Sequence, residues 1–401
     1  MLMFVFGAGA SYDSDPARLP GLTISAFEER NRPPLATSLF EPRSQPFKDA
    51  AATFPRAAPL LMRLREAANR GEDIEAVLEQ LQAEEKAYPL ASSHLLGLRA
   101  YLMQLLTNIA AEWSEECQGL TNYVLALDEA AKWRASISGS KPIPLMAVTF
   151  NYDTLLEAAC SSVLGVNFLD LPDYVSGDLV RVYKPHGSVQ WRQKARWNLA
   201  STDWKLGLEA LTFAIDQAAS LEWHSEYRLM YHNEYQDDDG RFVWLPALAI
   251  PAQRKQAFAM PDSHLTAMRG DLSEVTTVVA IGWRGREGHF LKLLQECLPS
   301  APGRLVAVAE RPEAAQETVE ALWPTGRFNR YAIASKGFSD FVSSPEKADN
   351  TASRDRGLTR PLRLGEVLTG AVDWITRLPG PGLNEDPVEK PFGGRRYVAE
   401  P

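Results

Sequence analysis

Short apolar segments recur along the chain, and the residues between them carry apolar side chains at helical spacing. Short continuous apolar runs are typical of strands that are buried on both faces of a sheet. Strands that alternate with helices form parallel sheets, because each helical crossover returns the chain to the same edge. We therefore predict an α/β fold with a parallel sheet, built from FVF at 4–6, PLMAVTF ending at Phe150, LVRVYK at 179–184, TTVVAIGW at 276–283 and RLVAVAE at 304–310.

Two stretches interrupt this alternation and predict insertions into a sheet domain that spans 1–345. The first, about 55–136, has apolar residues at helical spacing, so we expect a helical insertion. The second, about 190–256, carries five tryptophans and an acidic run, and we expect an irregular insertion or lid in which most tryptophans anchor a core. The remaining extension, 346–401, is expected to hold one amphipathic helix at 364–378 and a flexible tail. The apolar face of that helix must be covered by its own domain or by another chain.

Composition and charge exclude several classes of protein. The 401 residues carry a formal net charge of −9, which argues against direct nucleic-acid binding because neutralising phosphates needs an excess of Lys and Arg. No apolar run approaches the roughly 20 residues of a membrane span, and the first residues lack a signal-peptide pattern, so we expect a cytoplasmic protein without membrane contact. Three scattered cysteines predict neither a metal site nor disulfides: Cys117, Cys160 and Cys297.

The segment FVFGAGAS at 4–11 runs directly from an apolar strand into two glycines. Such a turn lets the backbone approach a pyrophosphate closely, as at the first turn of dinucleotide-binding Rossmann folds. The alternative is an ordinary strand-to-helix turn, because Gly-Ala-Gly alone has low specificity. The first interpretation predicts a Rossmann-like sheet with a cofactor-binding turn at Gly7, Ala8, Gly9, Ala10 and Ser11.

The segment TFNYDTLLE at 149–157 again follows an apolar strand, where ligands bind in open α/β sheets. Asn151 and Asp153 are therefore expected to face a cofactor crevice. Helix capping is the alternative: Asp153 or Thr154 suits an N-cap, and Thr154 with Glu157 has capping-box spacing. Capping accounts for Thr154 and Glu157, but it leaves Asn151 without a structural role.

The segment VYKPHGSVQW at 182–191 places a histidine in a loop at a strand end. Between Pro185 and Gly187 the loop shape is fixed and crowding is low, which suits an imidazole that meets a substrate hydroxyl or a water molecule. His186 is therefore a candidate general base, whereas the other five histidines of the chain are expected to be structural or exposed.

Two further candidates follow later strands. Gly282, at the end of VVAIG, would let an adenosine pass close to the backbone. Glu310, at the end of VAVAE, could hold a ribose diol, as carboxylates do in dinucleotide folds. An acid before Arg311 and Pro312 also suits the N-terminus of the next helix, which is the alternative for Glu310.

The ordered set GAGAS, TFNYD, KPHGS and an AIGW strand end resembles the sirtuin-like family (silent information regulator two) over most of residues 1–345. Members of this family bind NAD and cleave its bond between nicotinamide and ribose. The resemblance implies that the glycine turn holds the pyrophosphate and that Asn151 and Asp153 face the nicotinamide ribose. It also implies that His186 is the base.

Two departures from the family pattern limit what the resemblance implies. Protein deacetylases of the family carry a four-cysteine zinc module and an Asp-Phe-Arg element soon after the first motif, and this chain has neither. Deacylation and ADP-ribosylation of proteins are therefore disfavoured. PPLATSLF at 33–40 and the helical insertion are more similar to bacterial sirtuin-like NAD hydrolases, which deplete NAD during phage infection. Such proteins often act as homo-oligomers, or with a separately encoded HerA-type ATPase or Argonaute-like protein.

Two hypotheses follow from these motifs. The first is an NAD glycohydrolase that cleaves NAD to nicotinamide and ADP-ribose, with NAD as its substrate and without a metal. Cleavage builds positive charge on the ribose, so it needs an amide to fix the sugar and a base near a hydroxyl or water, which Asn151 and His186 can supply. The second is an NAD or ADP-ribose binding subunit that assembles with a HerA-type ATPase or an Argonaute-like partner.

Overall fold

The structure is a computed structural model of the 401-residue chain. It describes residues 1–17, 31–35, 38–72, 74, 76–78, 80, 90–137, 143–197, 207–230, 235, 241–250, 258–301, 303–343 and 362–376. Within these ranges the strands are β1 Leu2–Phe6, β2 Leu145–Thr149, β3 Val180–Tyr183, β4 Gly187–Arg196, β5 Glu222–Leu229, β6 Phe242–Leu248, β7 Thr277–Ile281, β8 Gly303–Val308 and β9 Phe328–Ala334.

Helices separate β1 from β2, β2 from β3, β7 from β8 and β8 from β9. No helix in the described part of the chain is long and apolar enough to cross a membrane. The helices whose bounds the structure describes are α1 Ala8–Tyr12, α2 Gln45–Thr53, α3 Ala58–Asn69, α4 Ala91–Glu116, α5 Asn122–Ile137, α6 Leu155–Leu164, α7 Asp173–Ser176, α8 Gly207–Asp216, α9 Asp262–Leu272, α10 Gly288–Cys297, α11 Pro312–Leu322, α12 Gly337–Phe341 and α13 Leu364–Thr369.

A parallel sheet forms the centre of the fold. Its six strands lie in the order β3-β2-β1-β7-β8-β9, and every neighbouring pair is parallel. Counted within this sheet alone, that is the 3-2-1-4-5-6 order of a Rossmann fold, with its switch point between β1 and β7. The prediction of an α/β, Rossmann-like fold is confirmed. β1, β2 and β7 are buried almost throughout, which is why their sequences read as continuous apolar runs.

The sheet ends in a strand, β9, that the apolar pattern does not predict. The five predicted segments coincide with β1, β2, β3, β7 and β8. In β9 the sequence is FNRYAIA, and Asn329 and Arg330 are exposed. An edge strand is partly solvated, so its apolar run is interrupted by polar side chains and the sequence signal becomes short.

The predicted helical insertion is present, and it begins earlier than expected, at α2. The apolar side chains of α2, α3 and most of α4 form a core of their own, separate from the core around the parallel sheet. α5 packs against the parallel sheet instead, where Tyr123, Ala126 and Leu127 are buried. The insertion therefore belongs to both cores.

The second insertion is also present, and its described part is more regular than expected. β4, β5 and β6 form an antiparallel sheet in the order β5-β4-β6. This sheet covers the core of the helical insertion, because Ala195, Val243 and Leu245 are buried there. The acidic run at 237–239 lies outside the described residues. Of the five tryptophans, Trp191, Trp197 and Trp244 are buried, Trp223 is partly exposed, and Trp204 lies outside the described residues.

The amphipathic helix predicted at 364–378 is wrong in its extent. α13 is only six residues long, because Gly370 adopts a left-handed conformation with a φ of 81° and ends the helix. Ile375 then pairs with Tyr331 on β9. The apolar side chains of α13 are buried in the core of the parallel sheet, so this helix packs on its own chain. The predicted flexible tail lies outside the described residues, which end at 376.

Candidate functional site

A cavity of about 560 Å³ opens at the carboxyl ends of the parallel strands. Much of its lining comes from the segments that follow β1, β2, β3, β7 and β8, so it lies across the switch point of the sheet. Open α/β sheets bind their ligands at this position. Ala10 is fully buried in α1 and does not line the cavity. The other predicted site residues all line it: Gly7, Ala8, Gly9, Ser11, Asn151, Asp153, His186, Gly282 and Glu310.

The glycine turn after β1 is shaped by a close crossing of two backbones. Gly9 donates its N–H to the carbonyl oxygen of Gly282 at 3.1 Å. A Cβ on Gly7 would lie 2.4 Å from the same oxygen, and a Cβ on Gly282 would lie 2.3 Å from the nitrogen of Ala10. Gly282 also has a φ of 60°, a conformation that favours glycine. The fold therefore requires all three glycines, whether or not a ligand approaches them.

In this crossing, backbone N–H groups that a phosphate would need as donors are already engaged. The N–H groups of Gly7, Gly9 and Ala10 all donate to backbone carbonyl groups of the protein. A pyrophosphate beside this turn would therefore need other donors, and its placement there stays a prediction. Replacing Gly9 with valine would disturb the contact with Gly282 directly. The variant would lose stability as well as any bound nucleotide.

Asn151 is buried at the end of β2 and ties that strand to the glycine turn. Its amide nitrogen lies 2.9 Å from the Gly7 carbonyl oxygen, 2.9 Å from Ser11 Oγ and 3.1 Å from the Tyr123 hydroxyl. Asn151 thus has a structural role that its strand-end position does not reveal. Its Oδ1 makes no hydrogen bond with any residue that the structure describes. This oxygen is the polar atom that Asn151 offers to a ligand in the cavity.

Ser11 and Asp153 complete this network. Ser11 Oγ donates to Asp153 Oδ2 at 2.8 Å, and Asp153 Oδ1 accepts from the N–H of Leu155 at 3.1 Å. Asp153 therefore caps the start of α6, as the capping alternative expects, while it also lines the cavity. The capping box of Thr154 and Glu157 is absent, because the Thr154 side chain makes no capping hydrogen bond.

Tyr123, on α5 of the helical insertion, belongs to the same network, although no motif marks it. Its hydroxyl lies 2.9 Å from Ser11 Oγ and accepts from Asn151. Burial raises the pKa of Tyr123 well above its ordinary value, and the charge of Asp153 raises the pKa further. The phenol therefore stays protonated and neutral. The helical insertion is in this way bonded to the residues that follow β1 and β2.

A buried ion pair fixes the segment after β2 against the end of β3. Lys184 is fully buried, and its Nζ lies 2.7 Å from Glu157 Oε1. The same Nζ donates to the backbone carbonyl of Asp153, and the Tyr174 hydroxyl donates to Glu157 Oε1 at 3.2 Å. Glu157, expected in a capping box, instead neutralises a buried lysine. Removing one partner would leave an uncompensated charge in the protein interior.

His186 lies in a tight turn whose shape requires the glycine that follows it. Gly187 has a φ of 81°, and a Cβ on it would lie 1.8 Å from the carbonyl oxygen of Ala247. The carbonyl of His186 accepts from the N–H of Ala249 at 2.9 Å. Phe150 packs edge-on against the imidazole, with ring centroids 4.9 Å apart. The imidazole is therefore held at the cavity wall both by its backbone and by its ring.

The two ends of the cavity differ in chemistry. Glu310 is exposed and lies just before α11, whose N-cap is Arg311. This position fits a carboxylate that holds a ribose diol in the cavity and also an acid at a helix N-terminus. Between the ends, Trp283 stacks on Phe150 with centroids 5.4 Å apart. Apolar side chains from the core of the helical insertion line one end: Leu39, which precedes α2, and Ile74, Leu106 and Ile109. Charged side chains after β7 and β8 line the other end: Arg284, Arg286, Glu287, Glu310 and Arg311.

Within the described ranges, no group of three or more His, Cys, Asp or Glu side chains is arranged to hold a metal ion. The three cysteines are free and do not line the cavity. Comparison of the chain with protein-family models finds no match, and comparison with curated proteins finds none either. The cavity and the motifs that line it are therefore the observations that bear on function.

Proposed function

We propose that this protein binds NAD in the cavity at the carboxyl edge of its parallel sheet and hydrolyses the bond between nicotinamide and ribose. One observation carries the proposal: Asn151, Asp153 and His186, from two strand ends, line the same cavity as the glycine turn. The resemblance of GAGAS, TFNYD and KPHGS to sirtuin-like motifs supports NAD as the substrate.

The reaction needs a ribose held in position and a general base. The C1′–N bond of NAD breaks, its electron pair leaves with the nicotinamide nitrogen, and the oxygen of a water molecule bonds to C1′. The pyridinium nitrogen is already positive, so nicotinamide leaves as a neutral molecule and needs no acid. The proton of the attacking water passes to a base, and His186 is the imidazole on the cavity wall.

Asn151 and Asp153 act on the ribose in this proposal. Oδ1 of Asn151 accepts a hydrogen bond from a ribose hydroxyl, because its amide nitrogen is engaged with the glycine turn. The Asp153 carboxylate stabilises the positive charge that develops on the ribose, and Ser11 holds it in place. Both groups are fixed by hydrogen bonds before NAD arrives, and such preorganisation favours the transition state.

The unlike ends of the cavity orient the dinucleotide. The apolar end is formed with the core of the helical insertion. That core also packs against Tyr152, which follows β2, and Val189 on β4, so the apolar end lies on the β2 and β3 side. An apolar wall there suits the nicotinamide ring. The charged end lies on the β7 and β8 side and suits the adenosine. NAD then crosses β1 with its pyrophosphate beside the glycine turn and its scissile bond near Asn151 and His186.

A binding subunit without turnover is the second candidate, and one observation favours it. Both carboxylate oxygens of Asp153 and the amide nitrogen of Asn151 are engaged inside the protein. Residues that maintain a fold in this way need not take part in chemistry. In this case the same cavity would bind NAD or ADP-ribose and pass the binding signal to a partner protein.

Nicotinamide release and NAD binding, measured on the same purified protein, separate the two candidates. Wild-type protein incubated with NAD should yield nicotinamide and ADP-ribose in equal amounts by chromatography. His186→Ala should lose this release and still bind NAD in calorimetry. His224→Ala changes a histidine on β5 that does not line the cavity, and it should cleave NAD like wild type. Binding without release by wild type would support the binding subunit, and absence of binding would contradict both candidates.

A further inference from the structure

Three arginines line the cavity at the end formed after β7 and β8, and all three are exposed: Arg284, Arg286 and Arg311. Among the residues that the structure describes, their guanidinium groups have no hydrogen-bond or ion-pair partner. Arg327 and Arg363, which lie outside the cavity, instead donate to backbone carbonyl groups. The arginines of the cavity therefore present their donors to whatever enters it.

The charge at this end runs against the charge of the chain, whose formal net value is −9. The carboxylates on the same part of the lining are Glu287 and Glu310. Glu287 accepts a hydrogen bond from Trp283 Nε1 at 2.6 Å. Among the described lining residues of this end, three guanidinium groups thus stand beside two carboxylates. A guanidinium presents a planar fork of donors that matches two oxygens of a phosphate, so the surplus points to a phosphate ligand.

The strand ends that carry the arginines lie at different distances from the glycine turn: Arg284 and Arg286 follow β7, which neighbours β1, whereas Arg311 follows β8. In the order β1-β7-β8, the end of β8 lies two strands from the glycine turn, roughly 10 Å away at the usual strand spacing. With the nicotinamide half near Asn151 and His186, the adenosine ribose extends to this end. In dinucleotide folds a carboxylate meets the ribose hydroxyls, or a nearby arginine accommodates a phosphate on that ribose. Glu310 and Arg311 stand side by side here.

We propose that Arg284, Arg286 and Arg311 form a subsite for an additional phosphate group on the adenosine ribose, so that the cavity accepts NADP as well as NAD. The ligand class is an adenosine nucleotide phosphorylated at the 2′ position, and binding involves no covalent step. The inference rests on the proposed function for the orientation of the dinucleotide. The subsite can be disproved while the proposed function still holds.

Two nucleotides with equal numbers of phosphates test the subsite by calorimetry. Adenosine 2′,5′-bisphosphate should bind wild type about tenfold more tightly than adenosine 5′-diphosphate, because only the former reaches the arginines with its 2′-phosphate. Arg284→Ala, Arg286→Ala and Arg311→Ala should each reduce that preference by roughly threefold to tenfold. Arg330→Ala removes one exposed arginine from β9, outside the cavity, and should leave the preference unchanged.

Two results would overturn the subsite while leaving the proposed function intact. Wild type could bind both nucleotides equally, or the arginine variants could weaken both nucleotides by the same factor. In the second case the arginines contact the 5′-phosphate that both ligands share. If wild type bound neither nucleotide, the result would instead contradict the proposed function, because the cavity would then not be a nucleotide site.

Discussion

The two halves of the cavity are built in opposite ways. On the β2 and β3 side, polar groups are buried and engaged with one another: Asn151 donates to the glycine turn, and Lys184 pairs with Glu157. On the β7 and β8 side, Arg284 and Arg311 are exposed and have no ion-pair partner among the described residues. One half is therefore fixed before a ligand arrives, whereas the other half gains its charge balance from the ligand.

Because of this difference, substitutions in the two halves should affect protein stability and ligand affinity differently. A substitution in the buried half removes hydrogen bonds or charge pairs inside the protein, so it should lower the free energy of unfolding as well as activity. A substitution in the open half removes only a contact with a ligand, so it should lower affinity alone. The following variants test this division, in order of decreasing expected effect.

The largest effect is expected on turnover. His186→Ala should slow nicotinamide release by about 10² to 10⁴, as loss of a general base does. Asn151→Ala should slow it by a comparable factor and also destabilise the protein by about 1–3 kcal/mol, because the Gly7 carbonyl, Ser11 Oγ and the Tyr123 hydroxyl each lose a hydrogen bond from the Asn151 amide. The double variant should be little slower than the slower single variant, since both groups act on one transition state. Single-turnover rates and urea unfolding measure both quantities, and wild-type turnover in either single variant would remove that residue from the mechanism.

The next largest effect is expected at the buried ion pair. Lys184→Met should lower the free energy of unfolding by about 3–5 kcal/mol, because it leaves the Glu157 carboxylate buried without its partner. Urea unfolding of the full chain measures this loss. Lys132→Met is the matched control, since Lys132 pairs with Asp128 on the surface and its removal should leave unfolding unchanged. Equal stability of the two variants would contradict the idea that the buried half is held by this pair.

A pH dependence should follow from His264, which packs against Tyr174 and Trp191 beside the buried half. Burial lowers the pKa of His264 to about 4, and its Nε2 lies 2.9 Å from the Leu171 carbonyl oxygen. Between the ordinary pKa of about 6.5 and this value, the unfolded chain binds a proton that the folded protein does not. Stability due to His264 is therefore complete above pH 6.5 and falls by about 3 kcal/mol as the pH drops to 4.

Unfolding in urea at several pH values checks this expectation against His264→Gln. The variant cannot gain the proton, so the difference between wild type and variant should shrink as the pH falls from 6.5 to 4. Acidic groups titrate in both proteins and cancel in the comparison. Parallel pH profiles would show that His264 is not the source of the dependence.

The smallest effect is expected in the open half. Arg311→Ala should change the free energy of unfolding by less than about 0.5 kcal/mol, because its side chain is exposed and has no described protein partner. Urea unfolding measured beside Lys184→Met gives the contrast directly. A loss of stability comparable to that of the buried variant would break the division between the two halves.

The sheet is predictable from the sequence because its central strands are buried on both faces. The second insertion is less predictable from the sequence. A register shift between Gln193 and Ala195 breaks the two-residue alternation of β4, so the sequence of 190–256 indicates an irregular segment. The helix predicted at 364–378 fails for another reason. Its apolar spacing continues past Gly370, although that residue ends the helix.

The site is predictable only where a motif marks a strand end. Asn151 and His186 follow apolar strands, and strand ends of a parallel sheet share one edge. Tyr123 lies in no motif, and Lys184 lies in the KPHGS motif without any sign of its ion pair. An aromatic residue on an apolar helix reads as core, and Tyr123 meets Ser11 across 112 residues of chain. A lysine at a strand end reads as solvated unless its carboxylate partner is known, and that pairing exists only in the fold.

The central place of β1 has a consequence for how the protein is made. Its neighbours are β2, which begins at Leu145, and β7, which begins at Thr277. At a ribosomal rate of about 5–20 residues per second, β1 waits roughly 14 to 54 seconds for its second neighbour. Until β2 has been made, both edges of this fully apolar strand are open to pairing with other chains, and one edge then stays open until β7 has been made. We expect the nascent chain to depend on chaperones until β7 has left the ribosome.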